Sequence, residues 1–227
     1  MTNDNDFTSR SVLFADILGF SKLTLKQREQ AENKLRAFIE LFANLVKKYD
    51  DSNISAHNIG DSVVVGFKNI PDALSFSKNL FYESFDKEIA LRGTIGIGEF
   101  THKPNSDNKF SFTIGSGLVL ATMSEKYHIK GHTLLLVCEV EEAYETEKIT
   151  CGHRLTSFED EEIHDLPKEF KAYIVPWWKK EDNKKTKDEI DKRIKKLDCE
   201  IIKYLEKTRK HVEDFTFQDG NMTMDDF

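Results

Sequence analysis

The chain has 227 residues, enough for one full-sized domain with an extension or for two small ones. With 39% hydrophobic and 32% charged residues it reads as soluble and globular, and its net charge of −7 argues against nonspecific attraction to nucleic acid or an anionic membrane. No apolar run is long enough to span a bilayer, and Met1-Thr2-Asn3-Asp4 lacks the basic start of a secretion signal. The cysteines Cys138, Cys151 and Cys199 are odd in number and widely spaced, which fits reduced thiols in a cytoplasmic protein and neither a disulfide framework nor a zinc site.

Residues 11–18 predict a buried strand. From Leu23 to Tyr49 the residues Leu35, Phe38, Ile39, Phe42, Leu45, Val46 and Tyr49 recur at helical spacing, predicting one long amphipathic helix. Asn53 to Phe67 reads as a hairpin around Gly60-Asp61, and Pro71 opens a second helix bearing Leu74, Ser77, Phe81 and Phe85 on one side. Residues 89–100 form a glycine-rich strand, and Gly93, Gly96 and Gly98 leave room for a ligand or another backbone. Thr101 to Lys109 reads as a polar loop. A short strand follows at Phe110–Ile114, then a helix from the Gly115-Ser116-Gly117 turn through Tyr127. Further strands are predicted at His132–Val137, Ile149–Leu155 and Phe170–Val175, with a short helix over Cys138–Thr146.

This order predicts an α+β domain around one sheet over residues 1–176. After Pro176-Trp177-Trp178 the composition changes, and residues 177–227 form a charged helical extension. There Ile190, Ile194, Leu197, Ile201 and Tyr204 make a narrow heptad-like stripe, suited to packing on the domain or on a second copy. Trp177 and Trp178 are expected to anchor that extension.

Two acids stand in unusual settings. Asp16 ends the apolar run Val12-Leu13-Phe14-Ala15 and precedes Ile17-Leu18-Gly19-Phe20-Ser21, while Asp61 follows Asn58-Ile59-Gly60 and precedes Val63-Val64-Val65. An acid at a strand end beside a glycine suits a metal-held phosphate, because the backbone approaches closely where no Cβ intrudes. Taken singly, Asp16 reads as a strand-end cap and Asp61 as ordinary turn chemistry. Arg92, as a strand arginine, reads equally as an ion-pair partner.

Together these pieces, with Leu91-Arg92-Gly93-Thr94-Ile95-Gly96-Ile97-Gly98, resemble in order and spacing the class III nucleotidyl cyclases over roughly residues 8–155. The resemblance implies a ferredoxin-like βαβ sheet core with flanking helices, and a homodimer with two composite sites at the interface. It further implies two Mg²⁺ or Mn²⁺ ions held by Asp16, Asp61 and the backbone carbonyl of Ile17. Gly19 and Phe20 would cradle phosphate, and Arg92 matches the triphosphate-binding arginine.

The departures from the family pattern are informative. His57 stands where purine cyclases carry a lysine, Phe112 where they carry a purine-reading aspartate, and Val119 and Met123 where they carry the transition-state asparagine and arginine. The chain is then either a catalytically dead relative or a cyclase for a different base. Retention of Asp16, Asp61 and Arg92 favours the second, since neighbouring carboxylates without a cation are costly. Phe112 and His57 become the base-facing candidates. Gly115, Leu118, Ala121 and Glu125 resemble the helix pattern of the bacterial pyrimidine cyclases of Pycsar antiphage systems. That resemblance implies conversion of UTP or CTP to the cyclic 3′,5′-monophosphate, read by a separate cyclic-nucleotide-binding effector. A purine cyclase and a non-catalytic nucleotide-binding module remain as alternatives.

Overall fold

The computed structural model describes residues 7–104, 111–126, 132–139, 156–157, 169–177, 183–194, 206, 208–210 and 212. The chain opens with β1 (Phe7–Ile17), two helices α1 (Phe20–Lys26) and α2 (Arg28–Val46), and the hairpin β2 (Ile54–Ile59) and β3 (Ser62–Phe67). It continues through α3 (Ile70–Asp86), β4 (Leu91–Pro104), β5 (Ser111–Ile114), α4 (Ser116–Lys126), β6 (Thr133–Glu139), β7 (Thr156–Ser157), β8 (Phe170–Ile174) and α5 (Asn183–Ile194).

The described strands form one mixed sheet in the order β2-β3-β1-β4-β6-β8-β7, with β5 on the far part of β4. Its first half is a β-α-β-β-α-β unit in which β3 and β1 lie between β2 and β4, the split arrangement of ferredoxin-like folds. Pairing is antiparallel except for β4 with β6.

Alternation along β1 divides the two faces. Leu13, Ala15 and Ile17 join Phe38, Leu41, Leu74, Phe76 and Phe81 in the main core under α2 and α3, while Val12 and Phe14 face Val64, Phe100 and Ala121 of α4. Apolar cover on both faces explains why β1 reads as a continuous hydrophobic run. On the second face α4 docks directly on backbone. A Cβ at Gly96 would strike the Gly117 carbonyl and the Ala121 amide, and one at Gly117 would lie 2.7 Å from the Gly98 oxygen.

Three expectations need correcting. The helix expected from Leu23 to Tyr49 is broken at Gln27 (φ −146°, ψ 68°), because α1 buries no residue whereas Ala31, Phe38, Leu41, Phe42 and Leu45 anchor α2. Thr101 to Pro104, expected in a loop, extend β4 by pairing with Ser111–Ile114, and 105–109 lie outside the described residues. Cys138 and Glu139, expected to begin a helix, belong to β6 because they pair with Lys171 and Phe170. The remainder of that helix and the strand at 149–155 lie outside the described residues, as do Trp178, Leu197, Ile201 and Tyr204. α3 begins as expected, with Asn69 capping the Asp72 amide at 2.8 Å.

The extension meets the core at defined points. Ile190 of α5, Val212 and Trp177 lie in the main hydrophobic cluster. His132, buried just before β6, joins them. Its amide donates to Thr208 Oγ1 (2.8 Å), and its carbonyl accepts from Trp177 Nε1 (3.0 Å). Its Nδ1 accepts from the Leu91 amide at 2.7 Å, so the ring is the Nε2–H tautomer and donates to the Phe81 carbonyl at 3.0 Å.

Candidate active site

Asp16 is the penultimate residue of β1, pointing with Val12 and Phe14 to the α4 side of the sheet, and is only 9% exposed. In the ladder it stands opposite Ser62 on one side and Arg92 on the other. Arg92 Nε donates to Asp16 Oδ1 at 2.8 Å and Nη2 to Oδ2 at 3.0 Å, a two-pronged pair between largely buried side chains.

Asp61 lies in the two-residue turn between β2 and β3. Gly60 before it adopts φ +65°, the left-handed conformation such hairpin turns reserve for glycine. Asn58 Nδ2 clasps the turn by donating to the carbonyls of Gly60 (3.1 Å) and Ser62 (3.2 Å). The Ile17 amide donates to the Asp61 carbonyl at 3.2 Å, so the turn is tied to the end of β1 one residue beyond Asp16. The fold thus brings together Asp16, Ile17, Asp61 and Arg92, from three separate stretches of sequence.

These groups fit a hard divalent cation. Two carboxylates and backbone carbonyls are all oxygen donors, the ligand class of Mg²⁺ and Mn²⁺, which fill their remaining positions with water and phosphate. No cluster of three or more His, Cys, Asp or Glu side chains occurs among the described residues, so a cation held by Asp16 and Asp61 would need backbone, phosphate or water oxygens to complete its shell.

Gly19 and Phe20 follow directly. Gly19 has φ +72°, a left-handed conformation that favours glycine, with open space at its Cβ position, and it caps α1. The Leu18 amide donates to the Ala90 carbonyl at 2.9 Å, fixing this loop beside the start of β4. Phe20 packs against the main core.

His57 lies on β2 opposite Val64, on the same face as Asp16 but further from the turn. Its Nε2 is 2.8 Å from Ser55 Oγ, and its ring lies against His102 of β4, with centroids 4.0 Å apart and planes at 35°. Burial, and then the neighbouring His102, hold the His57 imidazole below its ordinary range; burial does the same for His102. Phe112 stands on β5 opposite Lys103, and Val119 is exposed on α4. Ser55 and His102 were missed in the sequence. His102 lies in a stretch whose polarity predicts loop, although Phe100 and His102 keep alternate-residue spacing with Gly96 and Gly98 along β4.

No protein family and no curated protein matches the chain by sequence. Solved structures do match by shape. The adenylyl cyclase CyaB from P. aeruginosa superposes with a TM-score of 0.55 at 17% identity, over 78% of this chain and 98% of that one. The guanylate cyclase domain of RhGC from Catenaria anguillulae, in complex with GTP, gives 0.55 at 16%, over 76% and 98%. A bacterial light-regulated adenylyl cyclase gives 0.56 at 14%, over 76% of this chain and 53% of that one. This is the fold of the class III cyclase catalytic domain. Within that cyclase fold, no described helix is long and apolar enough to cross a membrane.

Proposed function

We propose that the protein is a pyrimidine nucleotide cyclase, converting UTP or CTP to the 3′,5′-cyclic monophosphate and pyrophosphate. The observation that carries this reading is a cyclase fold in which the amide of Ile17, the residue after Asp16, donates to the Asp61 carbonyl, and the residue matched to the purine cyclases' lysine would be His57, on the same sheet face as Asp16. In the reaction the ribose 3′-oxygen bonds to the α-phosphorus, the bond from that phosphorus to the pyrophosphate oxygen breaks, and the hydroxyl proton is released. Two bound Mg²⁺ or Mn²⁺ ions would supply charge neutralisation for attacking and leaving oxygens. Asp16, Asp61 and the Ile17 carbonyl would hold them. Arg92 would give its guanidinium to the triphosphate, and the Gly19-Phe20 backbone would line the phosphate path.

The same reading makes the protein a homodimer with sites at the interface. Ile59 at the hairpin, Ile114 on β5 and Val119 on α4 are exposed apolar side chains of the kind a second copy would cover. The division at residue 176 then separates a catalytic domain from a helical extension that buttresses it. A cytoplasmic role in antiphage signalling, with a separate effector reading the product, completes the proposal.

Incubating the purified protein with each of the four ribonucleoside triphosphates and Mn²⁺, then separating products, tests it. Cyclic UMP or CMP is expected; dominant cyclic AMP or GMP would sink the pyrimidine assignment. One observation favours a second reading, a nucleotide-binding module without turnover: Val119 and Met123 occupy α4 where charge-stabilising polar residues are expected. That reading predicts saturable nucleotide binding with no product.

A further inference from the structure

His132 is buried, and each of its polar atoms is engaged. Its backbone serves the extension, through Thr208 Oγ1 and Trp177 Nε1. Its side chain serves the start of β4, where Nδ1 accepts from the Leu91 amide at 2.7 Å, and α3, where Nε2–H holds the Phe81 carbonyl. The rings of Phe81, Phe85 and Trp177 surround the imidazole, with centroids 4.4 to 5.5 Å from it. An apolar side chain would fill such a space at a lower desolvation cost. What the imidazole adds is an acceptor for one particular amide.

That amide belongs to the residue before Arg92. Three successive residues are tied in three directions: the Ala90 carbonyl to the Leu18 amide, the Leu91 amide to His132, and the Arg92 guanidinium to Asp16. Arg92 also stands opposite Thr133, where the β4–β6 ladder begins, so His132 adds a bond just beyond the ladder's end. The end of a ladder is where strands open at least cost, and this bond closes it there. The far side is fixed as well. Arg209, beside Thr208, pairs with Asp191 of α5 at 3.1 Å, and Ile190 and Val212 lie in the main core.

We propose that His132 is a positioning residue, through which the C-terminal extension fixes Arg92 against Asp16 for the triphosphate. This rests on the reading of Arg92 as the triphosphate-binding group. His132, being buried, acts through the Leu91 amide and not on the substrate.

Full-length wild type, His132→Gln and His132→Asn are compared. Glutamine places its amide nitrogen near Nε2, keeping the bond to Phe81 and losing the one to Leu91; asparagine places its oxygen near Nδ1 and does the reverse. Two readouts are taken on folded protein. The Arg92 Nε–H signal in nitrogen-resolved nuclear magnetic resonance reports the bond to Asp16 directly. The dissociation constant of tripolyphosphate with Mn²⁺ requires neither a base nor turnover. The glutamine variant should shift the signal and weaken tripolyphosphate binding by about tenfold or more, the scale of a misplaced binding group. The asparagine variant should keep both near the wild type. Thr208→Val, which removes the acceptor of the His132 amide, should shift the signal too and carries the comparison if the glutamine variant does not fold. An Arg92 signal unmoved in folded glutamine or valine variants overturns the proposal. So does tripolyphosphate affinity that stays constant despite a shift, or an equal change in the asparagine variant. A wild type that binds no tripolyphosphate defeats the cyclase reading separately, because the Arg92 signal still reports the positioning.

Discussion

Asp16 and Arg92 face each other across β1 and β4 and share two hydrogen bonds, so the first metal-ligand candidate already has a cationic partner in the protein itself. A guanidinium so placed orients a nearly buried carboxylate and balances its charge. Under the proposed function, a cation bound at Asp16 would share both carboxylate oxygens with Arg92 or displace it toward the triphosphate.

The two acids should therefore respond differently to substitution. Asp16→Asn removes the charge from the two-pronged pair with Arg92 in a largely buried setting and should destabilise the fold by about 1–3 kcal/mol, below the range for fully buried pairs because water still reaches both groups. Asp61→Asn, at a half-buried turn, should melt within about 0.5 kcal/mol of the wild type. Both should lower cyclase turnover by about 10²-fold or more. Thermal melts beside product assays check the contrast.

Gly96→Ala tests the docking of α4. The added methyl has backbone of Gly117 and Ala121 in its way, so relief requires moving the helix. A loss of about 2 kcal/mol or more is expected, read from denaturant midpoints, while Gly19→Ala, with open space but φ +72°, should lose about 1 kcal/mol from backbone strain alone.

Ile190 is fully buried in the main cluster although it lies in the charged extension. Ile190→Ala should lower stability by about 2–4 kcal/mol, a core value. Chemical denaturation monitored through Trp177 and Trp178 fluorescence would show it; a surface-sized change would mean that α5 does not share the core.

The pH dependence follows from the imidazole pair. The His57 and His102 values are lowered from 6.5 in the folded state, so the unfolded chain binds more protons. Their contribution to stability is complete above pH 6.5 and declines as pH falls from there through the folded values. His57→Gln should flatten that part of the stability curve, measured by denaturant unfolding across the acid range.

Much of the fold was legible because its signals are local. The β2–β3 hairpin shows in Gly60-Asp61 between two apolar runs, and α3 shows in Asn69 and Pro71 ahead of its apolar face. What escaped depends on distant partners. Gln27 breaks a helix because only the later segment finds a core, and Thr101 to Pro104 are strand only because β5 returns to pair with them. In the site, Asp16, Asp61 and Arg92 carried recognisable surroundings, whereas the two-pronged Asp16–Arg92 pair and the contact of His102 on His57 depend on how distant strands register, which periodicity does not encode.

The most direct test compares the wild type with Asp61→Asn, each incubated with UTP and Mn²⁺, for cyclic nucleotide and pyrophosphate released together. The wild type should form both in equal amounts, and the folded variant should fall by about 10²-fold or more. Undiminished turnover in the variant, or pyrophosphate without cyclic product, would contradict metal-held cyclisation at Asp16 and Asp61.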